Sequence, residues 1–525
     1  MRNTRWAAAF CVLGLVTAAC GGDSSSDTTY RDTLTTADRS WDDSNRDDHS
    51  SDTTAAGSAT TAAAASEVGE PYPDVEFDDP GVNRPEWTDE DKLSTFALDV
   101  DTGAYTMART FLNDGFLPDR DSVRVEEYVN FFAQDYPVPR QGFSITVDGG
   151  PTPFVDEDMR VIRIGLRAED VESRPASNLV FVIDTSGSMA EGRRLEIVKY
   201  SLSLLVEELT EQDTVTLVEF GSDARLVLPP TFGDEKREIL RALDHLEPGG
   251  STNFEHGLRL GYDAADQLRR DGRLTRVIVA SDGVANVGLS DPDSLVEMIR
   301  RDADRGVNLV TVGVGMGNYN DALLEQLADD GDGFYAYVDT PDEAQDLFVN
   351  DLTGTLVTVA EDARVQVEFD QDTVLEWRLV GYENRAIADD QFRDDTVDAG
   401  EIGAGHTVTA LYEVRLTRDA LAGREDRIGR VYLRWLDPRT DDPTEVSQTI
   451  SLKDLSDRYR DTAPRFQQDV VVAQFAEALR GSRFAGVWTL DDLVDHAYDV
   501  TDLLPGDEDV AEFAELVRMS ARLER

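Results

Sequence analysis

The sequence predicts an α/β fold in which a doubly wound, mostly parallel sheet is inserted between flanking β-sandwich segments, with a small N-terminal helical region and C-terminal helices. Three observations predict it: apolar strands alternate with amphipathic helices from about residue 178 to 350, period-2 strand patterns stand on both sides of that block, and the residues from Pro464 onward carry three helical patterns. At 525 residues the chain exceeds the ~250–300 that one hydrophobic core organises, so two or three domains are expected.

The N-terminus reads as an export signal. Arg2 and Arg5 precede an apolar run from Trp6 to Val16, and Thr17-Ala18-Ala19 puts small residues before Cys20. The run is shorter than the ~20 residues needed to cross a bilayer. The segment resembles a bacterial lipobox, which implies cleavage before Cys20, acylation of that residue, and an exported protein anchored by lipid to the outer face of a membrane, in the cell envelope or periplasm. The only other cysteine, Cys11, would leave with the signal, so no disulfide is expected. Residues 21–90, rich in Ser, Thr, Asp and Ala, read as a disordered tether that cannot bury enough apolar surface to offset its ordering entropy.

Composition narrows the partners. With 105 acidic and 50 basic residues the formal charge is −55, which argues against nucleic acid. Only four lysines occur, a bias similar to that of salt-adapted microbes. Such a surface repels itself at low ionic strength and is screened as salt rises.

Residues 91–176 are expected to form an N-terminal region, with a strand near Ser94–Val100, a helix from Asp101-Thr102 to Leu112, a second helix from Asp121, and strands at Phe143–Val147 and Met159–Leu166. Within 177–352 the strands are Leu179–Ile183, Thr214–Phe220, Val277–Ala280 and Val307–Val314. Helices between them are Leu195–Leu209, Phe254–Leu268 and Pro292–Arg305. Residues 353–525 return to strands, ending with the three helices. A two-stranded ribbon such as Phe143–Leu166 is marginal alone, so the strands on either side of the block are expected to share one sandwich.

Asp184-Thr185-Ser186-Gly187-Ser188 follows the first strand of the α/β block, Gly249–Asn253 opens a helix, and Ser281-Asp282-Gly283 ends the strand Val277–Ala280. In open α/β sheets such loops meet at one edge, where ligands bind. A carboxylate and hydroxyls two residues apart, joined by a second carboxylate, are hard oxygen donors suited to a hard divalent cation. The same residue types also cap helices, and Thr252 with Glu255 fits a capping box.

These segments resemble the metal-ion-dependent adhesion site of von Willebrand factor A domains. The resemblance implies that Asp184, Ser186, Ser188, Thr252 and Asp282 hold a metal ion, Mg²⁺ with Mn²⁺ or Ca²⁺ as alternatives. It also implies a coordination position left for an acidic group of a partner. The flanks, Ser94–Thr102, Val123–Phe132, Asp135-Tyr136-Pro137, Gly381–Arg385 and Asp398–Ala410, resemble the YfbK-like bacterial lipoproteins over roughly residues 90–525.

Zinc-protease, hydrolase-elbow and P-loop motifs do not occur in the sequence, and no general base or nucleophile stands beside the predicted ligands. Gly313–Gly317 and Asp329–Gly333 read as turns, and the histidines receive no role. The expected function is therefore non-enzymatic: a cell-envelope protein that engages a protein partner presenting a carboxylate. The alternatives are a regulatory subunit of a channel or complex, and a structural envelope protein with a stabilising metal.

Overall fold

Ser177–Asp184 is buried along its whole length, because both faces of the sheet around it are covered. In the computed structural model, residues 77–525 are described except 78, 99–100, 172–173, 271, 284–291, 316–320, 351 and 441. Cys20, the signal and residues 21–76 of the expected tether lie outside the described residues.

In chain order, β1 (Glu86–Trp87) and β2 (Leu93–Ala97) lead to α1 (Gly103–Asn113), α2 (Val125–Asn130), β3 (Phe143–Gly150) and β4 (Met159–Ala168). The expected tether therefore ends too late at residue 90. Asn83 already donates to the carbonyls of Leu379 and Gly381, and β1 pairs with the strand Val374–Val380. The expected helix from Asp121 is also broken, since Val123 and Arg124 are extended between a 3₁₀ turn and α2. That break lets the Arg124 guanidinium reach both Glu127 and Glu325.

The α/β block contains β5 (Ser177–Asp184), α3 (Arg194–Glu208), β6 (Thr214–Phe220), β7 (Ala224–Phe232), α4 (Lys236–Asp244), α5 (Phe254–Leu268), β8 (Leu274–Ser281), α6 (Pro292–Ala303), β9 (Val307–Gly313), α7 (Asp321–Asp329), β10 (Phe334–Tyr337), α8 (Pro341–Gln345) and α9 (Leu352–Leu356). Its sheet runs β10-β9-β8-β5-β6-β7, parallel except for the edge strand β7. Side chains alternate between the two faces. Val180, Val182, Val277 and Val279 pack with Phe254, Leu258 and Tyr262 of α5, whereas Leu179, Phe181, Ile183 and Ile278 pack with Leu195, Leu202 and Leu205 of α3. Strand order reverses at β5, which has β6 on one side and β8 on the other, so the loops leaving β5 and β8 open at the switch point.

After the block come β11 (Thr358–Phe369), β12 (Val374–Val380), β13 (Gly400–Gly403), β14 (Thr407–Leu416), α10 (Arg418–Leu421), β15 (Arg427–Asp437), β16 (Asp442–Ser451), α11 (Pro464–Leu479), α12 (Leu490–Leu503) and α13 (Glu508–Leu523). One antiparallel sheet is β1-β12-β14-β4-β3, and the other is β13-β11-β15-β16 with β2 added on β11. Strands from before and after the α/β block thus pair directly. Ile162 and Ile164 of β4 share a core with Val365 and Val367 of β11 and with Leu433 of β15. The inserted block is tied to its flanks by charge as well. Arg109 of α1 bonds Asp339 and Glu343 of the block and Glu512 of α13, and Arg385 bonds Asp101 and Glu325.

No described helix is long and apolar enough to cross a membrane.

Candidate metal centre

β5 ends on Asp184, whose side chain has no accessible surface. Its Oδ1 accepts the Ser186 N–H at 2.7 Å and its Oδ2 accepts the Ser281 hydroxyl at 2.7 Å. Met189, fully buried in the α3-side core, anchors the turn that follows. This brings the Ser186 and Ser188 hydroxyls to 3.0 Å from each other, and Ser188 Oγ donates to Asp282 Oδ1 at 3.0 Å. Asp184, Ser186, Ser188 and Asp282 therefore form one cluster built from two strand ends far apart in sequence.

Thr252 arrives on a neighbouring loop fastened by backbone bonds: Gly249 N–H to Thr185 O at 2.7 Å, Gly187 N–H to Gly250 O at 3.1 Å, and Asn253 N–H to Gly221 O at 2.8 Å. A Cβ on Gly187 would stand 3.3 Å from the Gly250 carbonyl, so the small residue allows the close approach of the two loops. Asn253, not Thr252, caps α5, its side chain accepting the His256 N–H at 3.2 Å. The capping-box alternative for Thr252 is thereby removed. The buried Thr252 side chain makes no hydrogen bond among the described residues.

Electrostatics favour a cation here. Burial pushes the Asp184 carboxyl up to about 6, with the nearby Asp282 charge acting in the same direction, while hydrogen bonds from Ser281 and Ser186 pull it down. Asp184 is held by the neutral Ser186 and Ser281 donors while the nearby Arg194 guanidinium bonds Asp282, and a buried carboxylate so placed is expensive without a counter-charge of its own. Each of these oxygens keeps lone pairs beyond the bonds described. The donor set of two carboxylates and three hydroxyls therefore fits a hard divalent ion.

Sequence reasoning missed Arg194 and Ser281. Arg194, the first residue of α3, places Nη1 2.6 Å from Asp282 Oδ2 and 3.2 Å from the Ser188 carbonyl. An arginine at a helix N-terminus opposes the helix dipole, and that local conflict was the available signal. Elsewhere, the turn reading of Asp329–Gly333 matches the backbone bonds that Asp332 and Gly333 donate to Asp329 and Ala328. His256 stands half-exposed, 3.2 Å from Asp223.

A six-stranded sheet of this order with these loops at its switch point defines a von Willebrand factor type A domain, and the sequence pattern of that domain matches residues 178–350. A second pattern, described as von Willebrand factor, matches residues 72–163, and the pattern of the C-terminal region of the uncharacterized protein YfbK matches residues 354–523. The chain is 37% identical over 442 residues to the uncharacterized protein YfbK of Escherichia coli, covering 78% of this chain and 74% of the relative. It belongs to the YfbK family. It is also 30% identical over 210 residues to human inter-alpha-trypsin inhibitor heavy chain H3, covering 38% of this chain and 23% of that protein. Among solved structures, a von Willebrand factor type A protein from Catenulispora acidiphila superposes with a TM-score of 0.43 at 16% identity, over 74% of this chain and 91% of that one.

Proposed function

We propose that the chain is a non-enzymatic binding protein of the cell envelope, anchored through a lipid on Cys20, that holds one divalent cation, Mg²⁺ in the first place, on Asp184, Ser186, Ser188, Thr252 and Asp282. The ion would give the site an electrophilic centre for the carboxylate of a protein partner. The carrying observation is the Ser186–Ser188–Asp282 hydrogen-bonded chain beside the buried Asp184, at the sheet's switch point. Three hydroxyls and two carboxylates supply five donors, one fewer than the six positions of an octahedral ion, which supports recognition of an added anion.

The test is cross-linking in cell envelopes of the source organism in Mg²⁺ and in chelator, with wild type and Asp184→Asn. Partners lost both in chelator and in the variant are the expected result. Capture unchanged by either condition contradicts the reading, and a change in melting temperature with unchanged capture favours a purely stabilising ion.

A further inference from the structure

The Arg194 side chain is only 9% exposed and joins three segments at the cation site. Its Nη1 bonds Asp282 Oδ2 at 2.6 Å and the Ser188 carbonyl at 3.2 Å. Its placement is built into the backbone. Gly192 and Arg193 both take left-handed conformations, φ 54° and 61°, which turn the chain so that α3 begins on Arg194. On the far side, Gly315 after β9 has φ 75°, and a Cβ there would stand 2.7 Å from Arg194 Cδ and 2.8 Å from Cγ. Gly315, just after β9, thus leaves a slot for this side chain.

We propose that Arg194 is a positioning residue that fixes Asp282 and cancels its charge, tuning the cation site to require a monoanionic ligand. This rests on the cation-binding reading above. Asp184 and Asp282 bring two negative charges, and the Arg194 guanidinium paired with Asp282 returns one positive charge. A divalent ion on this set retains a surplus of one positive charge, which one carboxylate neutralises. Asp282 cannot swing to a more intimate pose, because Oδ1 accepts from Ser188 and Oδ2 from Arg194. The protein therefore binds its cation and its acidic ligand with positive coupling, each strengthening the other.

Mn²⁺ binding to wild type, Arg194→Met and Arg194→Gln, followed by electron paramagnetic resonance with and without acetate, tests this. Melting curves verify folding, and either neutral variant that folds decides the outcome. Expected is a threefold or greater tightening of Mn²⁺ in the variant without acetate, together with loss of the enhancement that acetate gives wild type. Unchanged or weaker Mn²⁺ binding by a folded neutral variant overturns the role of Arg194 while leaving the cation site standing. Failure of wild type to bind Mn²⁺ overturns both.

Discussion

Ser188 Oγ donates to Asp282 Oδ1 at 3.0 Å across 94 residues of chain, joining the loop after β5 to the end of β8. That bond exists because β5 and β8 are parallel neighbours in register from Ser177–Leu274 to Ile183–Ala280, so their C-terminal ends emerge side by side. The cluster is thus a consequence of sheet topology, and its residues can be perturbed separately from the sandwich that carries it.

Asp332 makes stability depend on pH. Burial, reinforced by the charges of Glu361, Asp398, Asp362 and Asp304, pushes its carboxyl up to about 7. Between roughly 4 and 7 the folded chain keeps a proton that the unfolded chain, with a pKa of about 3.9, has released. Stability therefore falls as pH rises through that window. Asp332→Asn, which also tolerates the positive φ at this position, should unfold like wild type in urea at pH 4 and be more stable at pH 8 by about 1–2 kcal/mol, allowing for partial solvent screening. Parallel pH profiles would contradict this.

Salt should stabilise the fold. Asp304 and Asp332 of the α/β block face Glu361, Asp362, Asp398 and Glu401 of the sandwich around a cavity of about 580 Å³. Raising NaCl from ~0.05 to ~1 M shortens the screening length from over 10 Å to about 3 Å and should raise the melting temperature by roughly 3–5 °C. A flat or falling melting temperature is the contrary outcome.

Arg378 anchors the helical end to the sandwich. Its buried guanidinium bonds Glu413 at 2.8 Å and Glu477 of α11 at 2.9 Å, and lies 4.1 Å from the Phe484 ring centre. Arg378→Met strands Glu413 and leaves Glu477 to Arg480 alone, and the expected loss is about 3–5 kcal/mol in chemical denaturation. Adding Glu413→Gln should recover part of it, because it removes the acid left without a partner. A strictly additive double variant would show that the network does not act as a unit.

Gly165 in β4 leaves room for Tyr136, whose hydroxyl lies 2.8 Å from Thr409 Oγ1. A Cβ at Gly165 would fall within 2.7 Å of Tyr136 Cε2. Gly165→Ala should destabilise the chain by roughly 1–3 kcal/mol through overpacking, read from urea unfolding. A neutral substitution would mean that the ring moves aside freely.

Much of this architecture is legible before any coordinates, and the exceptions have physical causes. The buried strands β5, β6, β8 and β9 announce themselves as apolar runs, and α5 as an amphipathic stripe. By contrast β7 is an edge strand carrying Pro229 and Pro230, with Leu226 and Phe232 exposed, so its alternation is blurred. The four-residue β10 is too short for a period. At the site, the loop residue types suggest the five donors and the structure brings the β5 and β8 loops together. For Arg194 the sequence offers only its unfavourable place at a helix N-terminus, because its partner, Asp282, is 88 residues away and its slot is shaped by Gly315.

The most direct test of the account is calorimetric titration of Mg²⁺ into wild type and Asp184→Asn, each checked for folding by circular dichroism. One cation per wild-type chain and at least tenfold weaker binding by the folded variant are expected. A wild type that takes up no divalent ion, or a variant that binds it equally well, would contradict it.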